Sequence, residues 1–198
     1  MENKITSIYM VGVGGQGIIR ASDILCEVAM RSGFDVKKSE VHGMAQRGGS
    51  VTSHVRYGEK VYSPLSAKGD IDILVAFERL EVLRYLDYIR AGGRVIVSKQ
   101  ELYPPIVNLG EADYPENVAD TVRRWTPLVQ EMDAVQIAVD AGNTKTENTA
   151  VLGALSVWLD FNEQIWDAVF REAFPAKVLE ANLKAFSEGR MAALPTIT

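Results

Sequence analysis

A run of glycines directly after an apolar segment constrains the fold of this chain more than any other feature. Residues 8–11 form a short apolar run typical of a buried strand, and Gly12, Gly14 and Gly17 follow it in the spacing G-x-G-x-x-G. From Ile18 onward apolar residues recur at helical spacing. The sequence therefore predicts a strand, a tight turn and a helix in immediate succession.

The rest of the chain alternates between strand-like and helix-like patterns. Further strands are predicted at residues 34–41, 50–56, 60–62, 71–77, 94–98 and 135–139. Helices are predicted from residue 78 to the glycines at 92 and 93, and at residues 116–132, 146–159, 163–173 and 176–187. This order predicts an α/β fold with a Rossmann-like open, mostly parallel sheet and helices on both faces. One β-hairpin near Gly58 and a helical carboxyl-terminal end complete the predicted single domain, residues 1–198.

Charge and composition exclude several classes of protein. The 198 residues are 47% apolar, which is enough for one globular core, and 26 acidic side chains against 21 basic ones give a net charge of −5. An acidic chain has no general electrostatic attraction to nucleic acid or to anionic lipid. We therefore expect neither a nucleic-acid partner nor a membrane partner.

Cysteine content sets a limit on redox chemistry. The one cysteine, Cys26, cannot form an internal disulfide, a cysteine-based zinc site or the four-thiolate set of an iron–sulfur cluster. With two histidines besides, no metal site is expected in this chain. No apolar run reaches membrane-spanning length, and the first residues resemble a strand more than a signal peptide, so we expect a cytoplasmic protein.

The glycine turn is the first candidate site. A glycine turn between a strand and a helix exposes backbone N–H groups to a phosphate or another anion. Gly15 and Gln16 lie inside it, so residues 12–17 as a whole are candidates for cofactor binding. A dinucleotide-binding protein would also carry an acidic residue about twenty positions further on, for which Glu40 is the candidate. The alternative is that the glycines serve only the turn and the packing of the helix.

A second glycine-rich loop, residues 42–50, follows the predicted second strand. Its arginine, Arg47, is able to bind a phosphate or carboxylate through two hydrogen bonds, and His42 and Gln46 offer further hydrogen bonds. Gly48 and Gly49 allow a partner backbone or a cofactor to come close. The alternative is an ordinary loop whose arginine forms a surface ion pair worth about 0 to 1 kcal/mol.

Other polar residues carry less signal. His54 lies in a strand-like segment, where a lone histidine is more often a packed side chain than a ligand. No G-x-S-x-G sequence occurs, and no histidine follows the serines at 63 and 66 to complete a triad. Hydrolase chemistry is therefore not expected, and no catalytic residue is assigned to this chain.

Several segments taken together resemble one enzyme family. The segments are GVGGQGI at residues 12–18, HGMAQRGGSV at 42–51, YSPL at 62–65, DILVAFE at 72–78 and NTAVLGAL at 148–155. In this order they resemble the gamma-type domain of the 2-oxoacid:ferredoxin oxidoreductases, and most of all the beta-subunit branch that serves indolepyruvate. The glycine turn alone is weak evidence, but the loop behind it is specific.

The resemblance implies a subunit of an oxidoreductase complex rather than a free-standing enzyme. Such complexes oxidatively decarboxylate arylpyruvates with coenzyme A as co-substrate, giving acyl-CoA, carbon dioxide and reduced ferredoxin. Thiamine diphosphate and the iron–sulfur clusters are expected on a larger partner subunit, which agrees with the single cysteine here. No cofactor is then bound by this chain alone, and the isolated chain is expected to be inactive.

The resemblance also implies roles for matching positions. The glycine turn would form a surface that receives an anion or the partner, and His42, Gln46 and Arg47 would line the route of coenzyme A or the oxoacid to the thiamine. Two alternatives stay open: a stand-alone module that binds a nucleotide or acyl-CoA, and a Rossmann-type NAD(P)-binding protein. The preferred 2-oxoacid and the oligomeric state do not follow from the sequence.

Overall fold

The computed structural model describes residues 4–43 and 49–193, and it has the predicted α/β architecture. Its strands are β1 (Thr6–Val13), β2 (Asp35–His42), β3 (Ser50–Gly58), β4 (Ile71–Ala76), β5 (Ile89–Ser98) and β6 (Val129–Met132). Its α-helices are α1 (Ile18–Arg31), α2 (Pro105–Asn108), α3 (Val118–Trp125), α4 (Ala134–Asp140), α5 (Glu147–Ser156), α6 (Glu163–Ala173) and α7 (Ala176–Ala193). Two 3₁₀ helices, η1 (Glu81–Tyr88) and η2 (Thr144–Thr146), complete the described elements.

The six strands form one sheet in the order β2-β3-β1-β4-β5-β6. β3 is antiparallel to both of its neighbours, while β1, β4, β5 and β6 are mutually parallel. β1 and β2 therefore point the same way, although β3 lies between them. The predicted strand–helix–strand unit is present in the chain order, but its two strands are not neighbours in the sheet.

Each face of the sheet carries its own apolar core. The larger core packs α1 and the carboxyl-terminal helices against one face, and Trp166 and Phe170 are fully buried within it. The smaller core lies on the other face, under η1 and α3. Helices thus cover both faces, as the sequence predicts.

Helices α5 and α7 lie in backbone contact within the larger core. An added Cβ on Gly153 would lie 2.2 Å from the main-chain oxygen of Phe186, and one on Gly189 would lie 2.0 Å from that of Ala150. No side chain fits at either position. These two glycines therefore allow α7 to lie against α5 and cover the core.

The predicted hairpin at Gly58 is wrong, because residues 60–62 form no strand. Both edges of β3 are already paired, with β1 on one side and β2 on the other. The segment after β3 is held by side chains instead: Asp35 accepts a hydrogen bond from the Val61 N–H at 3.0 Å, and Arg56 donates to the main-chain oxygen of Leu65 at 2.8 Å. The hairpin of the structure is β2–β3, joined by residues 43–49.

Two predicted elements around residue 130 are also wrong. The helix predicted at 116–132 ends at Trp125, because Pro127 disfavours a continued helix, and β6 (Val129–Met132) follows. The strand predicted at 135–139 is instead helix α4. Asp133 caps this helix by accepting a hydrogen bond from the Gln136 N–H at 2.9 Å. A short apolar run does not distinguish strand from helix, and the aspartate was the missed signal.

The segment after β4 differs in a smaller way. The helix predicted from residue 78 is the 3₁₀ helix η1, which begins at Glu81. The sequence predicts that this helix extends to Gly92 and Gly93, but it ends at Tyr88. β5 begins at Ile89 and runs through both glycines. The segment between Ile89 and Arg94 is irregular, as the register with β4 shows.

Candidate functional site

The glycine turn joins β1 to α1 at the carboxyl edge of the parallel strands. Gly17, with φ +77°, is the left-handed residue directly before the helix, and its main-chain oxygen accepts the Ala21 N–H at 2.9 Å. Gly15 also has positive φ, at +110°, and is exposed. Gly15 therefore presents open backbone just before the amino-terminal end of the 14-residue helix α1.

Two of the glycines are needed for packing. An added Cβ on Gly12 would lie 2.6 Å from Gln16 Oε1 and 2.9 Å from Ile18 Cδ1, and one on Gly17 would lie 2.6 Å from Asn148 Nδ2. Gly15, by contrast, has open space where its Cβ would stand. The interpretation that the glycines serve only the turn and the packing of the helix therefore applies to Gly12 and Gly17. Gly15 instead faces solvent.

Gln16 points into the protein and fixes the turn. Its Oε1 accepts the Val13 N–H at 2.7 Å, and its Nε2 donates to the main-chain oxygen of Phe77 at 2.7 Å and to Gln100 Oε1. Only 5% of the residue is exposed. Gln16 therefore stabilises the turn from its buried side. Its direct contact with a ligand stays a prediction.

The second glycine-rich loop begins and ends beside this turn. The Gly14 N–H donates to the main-chain oxygen of Gly49 at 2.9 Å, and the Gly43 N–H donates to that of Ser50 at 2.8 Å. Gln46, Arg47 and Gly48 lie outside the described residues, as does the side chain of His42. The structure thus brings the two ends of the loop to the glycine turn.

Ser50, at the carboxyl-terminal end of the loop, is held by side chains of η1, on the face of the sheet that carries the smaller core. Its hydroxyl donates to Glu81 Oε2 at 2.6 Å and lies 3.1 Å from the hydroxyl of Tyr85. Glu81 is buried and also pairs with Arg84 at 2.9 Å. These contacts fix β3 where it leaves the loop, and sequence reasoning did not single out Glu81 or Tyr85.

An open groove of about 830 Å³ lies along the turn and the ends of the loop. Its lining residues are Val13, Gly14, Gly15, Gly17, Ile18, Ile19, Arg20, Asp23, Gly43 and Val51. The groove combines glycine backbone with the first residues of α1. Such a combination suits an anionic or extended ligand, or a segment of a partner chain.

A second cavity of about 500 Å³ shares Gly15 and Gly17 with the groove. Its other lining residues are Gln16, Gln100, Val135, Thr144, Lys145 and Glu147. Burial raises the pKa of Glu147, and a hydrogen bond with Gln100 opposes that rise. Sequence reasoning missed this group, although Gln100 follows a strand at the edge where α/β sheets bind ligands.

The acidic residue considered for a dinucleotide is poorly placed. Glu40 lies on the edge strand β2 and forms an ion pair with Lys38. Because β3 separates β2 from β1, Glu40 lies two strand spacings, about 10 Å, from the strand that leads into the turn. This arrangement disfavours dinucleotide binding of the Rossmann type.

His54 is a packed side chain, as expected. It stacks on Tyr9 with ring centroids 3.8 Å apart, and its pKa is lowered by burial and by the nearby charge of Arg56. Within residues 4–43 and 49–193 no group of three His, Cys, Asp or Glu side chains is arranged to hold a metal ion. Helices long and apolar enough to cross a bilayer are likewise not found in this part of the chain.

Comparison with known proteins gives the family of this chain. Residues 7–192 match the model of the pyruvate ferredoxin/flavodoxin oxidoreductase family. The chain belongs to this family.

Curated relatives support a narrower position within it. The chain is 39% identical to the indolepyruvate oxidoreductase subunit IorB of Thermococcus kodakarensis, over 96% of each chain. It is 39% identical to the subunit of the same name from Archaeoglobus fulgidus, over 92% of each. The matches span nearly the whole of these relatives.

Solved structures share the fold of this chain. A 2-oxoglutarate:ferredoxin oxidoreductase from Magnetococcus marinus, with 2-oxoglutarate, coenzyme A and succinyl-CoA bound, has a TM-score of 0.74 at 25% identity. The match covers 97% of this chain and 31% of that one. The gamma subunit of a keto/oxoacid ferredoxin oxidoreductase from Geobacter sulfurreducens has the same fold, with a TM-score of 0.72 at 22% identity over 96% of this chain and 97% of that one.

Proposed function

We propose that this chain is the small subunit of an indolepyruvate-type 2-oxoacid:ferredoxin oxidoreductase. The complex would oxidatively decarboxylate arylpyruvates with coenzyme A and pass the electrons to ferredoxin, giving acyl-CoA and carbon dioxide. Near full-length similarity to two subunits of that name supports the substrate class. We also propose that residues 1–198 form a single domain and that the protein is cytoplasmic. We propose no nucleic-acid or membrane partner.

The cofactors are proposed to lie on a larger partner subunit. Thiamine diphosphate there would supply carbanion stabilisation, and iron–sulfur clusters would carry the electrons onward. This chain supplies a single cysteine, Cys26, which lies on the buried side of α1. The role of this chain would be to shape and close the route to the reacting centre. The chain alone would not turn over substrate.

The hydrogen bond from the Gly14 N–H to the Gly49 oxygen is the observation that carries the proposal. It joins the described end of the second segment to the glycine turn, beside one groove at the carboxyl edge of the sheet. We infer that backbone N–H groups of the turn receive an anionic part of coenzyme A or the oxoacid. His42, Gln46 and Arg47, with Gly48 and Gly49, would line the same route from the loop.

Replacement of Arg47 by alanine tests this role in the reconstituted complex. Loss of a charge-assisted hydrogen bond should raise the KM for coenzyme A or for indolepyruvate by about tenfold or more. Arg171→Ala is the matched control, because Arg171 pairs with Asp167 on the exposed side of α6. Kinetic constants of Arg47→Ala equal to those of the control would refute the role of Arg47.

A further inference from the structure

Three basic side chains line a small cavity at the opposite edge of the sheet. The cavity has a volume of about 270 Å³. Its lining residues are Lys4, Thr6, Asp72, Ile73, Arg90, Gly92, Arg94, Leu128 and Trp158. It lies where β1 and β4 begin, whereas the glycine turn lies where β1 ends. The cavity is therefore separate from the groove described above.

An irregular stretch of β5 places two arginines at this cavity. Ile71 of β4 is paired with Ile89 and Ile73 with Arg94, so β4 advances two residues while β5 advances five. The extra residues include Arg90. Irregular strand segments of this kind re-aim side chains and recur beside functional sites.

Glycine and a buried threonine maintain the irregular stretch. Gly92 has φ +75°, and an added Cβ on Gly93 would lie 2.5 Å from Ile89 Cγ2 and 3.0 Å from the Ile71 oxygen. The Thr126 hydroxyl donates to the Gly93 oxygen at 2.7 Å. The backbone that carries Arg90 and Arg94 is thus specified by several contacts and is not a loose turn.

The described side chains that line the cavity carry three positive charges and one negative charge. Arg90 Nε donates to Asp72 Oδ1 at 2.6 Å, while Asp72 Oδ2 accepts the Ser7 N–H at 2.7 Å. The guanidinium of Arg94 lies over the ring of Trp158, 5.4 Å from its centroid. Among the described residues neither Lys4 nor Arg94 forms an ion pair with a carboxylate.

We propose that this cavity binds a phosphate group, either free or as a monoester. In the described part of the chain, Lys4 and Arg94 have no carboxylate partner, and their two charges match that of a phosphate dianion. A guanidinium that lies over an aromatic ring still offers its N–H groups to phosphate oxygens. The ion pair with Asp72 holds the Arg90 side chain at the cavity, so this arginine is already in place for the anion.

Titration of the purified full chain with inorganic phosphate, and separately with glycerol phosphate, tests the proposal. Binding is measured by thermal unfolding and by calorimetry at constant ionic strength, with chloride as the reference anion. Binding by the wild type should raise Tm, and Arg94→Ala and Lys4→Ala should each weaken the affinity by about tenfold. The exposed Arg171→Ala is the matched control, and it should bind as the wild type does.

The two ligands distinguish the source of the phosphate. Stronger binding of glycerol phosphate would assign a phosphorylated metabolite, and stronger binding of inorganic phosphate would assign the free ion. Absence of any shift relative to chloride would overturn the proposal, as would equal affinities of the wild type and Arg94→Ala. Weaker association of Arg94→Ala with a larger subunit, without any phosphate effect, would assign the arginine to a partner carboxylate and likewise overturn it.

Discussion

Gln16 Nε2 lies 2.7 Å from the main-chain oxygen of Phe77, and this contact ties the glycine turn to the end of the neighbouring strand β4. The other end of the same amide accepts the Val13 N–H. The turn is therefore rigid on its inner side and open at Gly15 on its outer side. Gln16, which the sequence predicts as a cofactor-binding residue, thus stabilises the turn from its buried side, and its contact with a ligand stays a prediction.

Replacement of Gln16 by alanine should lower the free energy of unfolding. It would leave the Val13 N–H and the Phe77 oxygen without their side-chain partner, and a buried unsatisfied polar group costs about 1–3 kcal/mol. Urea denaturation followed by circular dichroism measures the change. Gln164→Ala, on an exposed position of α6, is the control and should lie within about 0.5 kcal/mol of the wild type. A Gln16→Ala protein as stable as the control would contradict this role.

Substitution of Gly153 should be more damaging than substitution of an exposed glycine. An alanine there would force α5 and α7 apart, because the Phe186 oxygen would stand 2.2 Å from the new Cβ, and overpacking costs about 1–3 kcal/mol or more. Gly110→Ala, in open space at φ +73°, carries only backbone strain of about 1–2 kcal/mol. Thermal unfolding compares the two variants. A loss for Gly153→Ala no larger than that for Gly110→Ala would contradict the expected clash between α5 and α7.

Stability should depend on pH through His54. Since burial lowers the folded-state pKa of His54 below its unfolded value, the unfolded chain binds more protons in the window between the two values. The free energy of unfolding should therefore fall as the pH drops below about 6.5, and it should recover as the pH rises through that value. His54→Phe keeps an aromatic ring against Tyr9 and removes the titration. The slope between pH 7.5 and about 5.5 should be shallower in this variant.

Cys26 should be unreactive in the native protein. Burial raises the pKa of its thiol to about 12, and the thiolate is the reactive form. Alkylation by iodoacetamide at pH 8, followed by mass spectrometry, should label Cys26 only after the chain is unfolded in urea. Rapid labelling of the native chain would mean that α1 opens readily from the sheet.

The order of the first elements could be predicted from the sequence because its signals are local. The apolar run before Gly12, the glycine spacing and the left-handed Gly33 after α1 depend only on neighbouring residues. The position of β3 between β1 and β2 depends on pairing between distant segments, and no local pattern encodes it. That pairing is also what excludes the predicted hairpin at Gly58.

The candidate site was predictable to a similar degree. The two glycine-rich segments can be chosen as candidates from the sequence, and the structure places the described end of the second beside the first. The inward orientation of Gln16 and the contribution of Gln100 could not be predicted, since both depend on the packing of β4 and β5 beside the turn. The arginines at 90 and 94 line one cavity where β5 is irregular, which their spacing in the sequence does not reveal.

Anaerobic co-expression with a larger subunit that carries a thiamine site and ferredoxin-type cysteines tests the central claim most directly. The measurement is coenzyme A-dependent reduction of ferredoxin by indolepyruvate, made on the complex and on each separated chain. The account predicts turnover by the complex and none by this chain alone. Turnover of indolepyruvate by the purified small chain, or undiminished turnover by the large chain without it, would contradict the account.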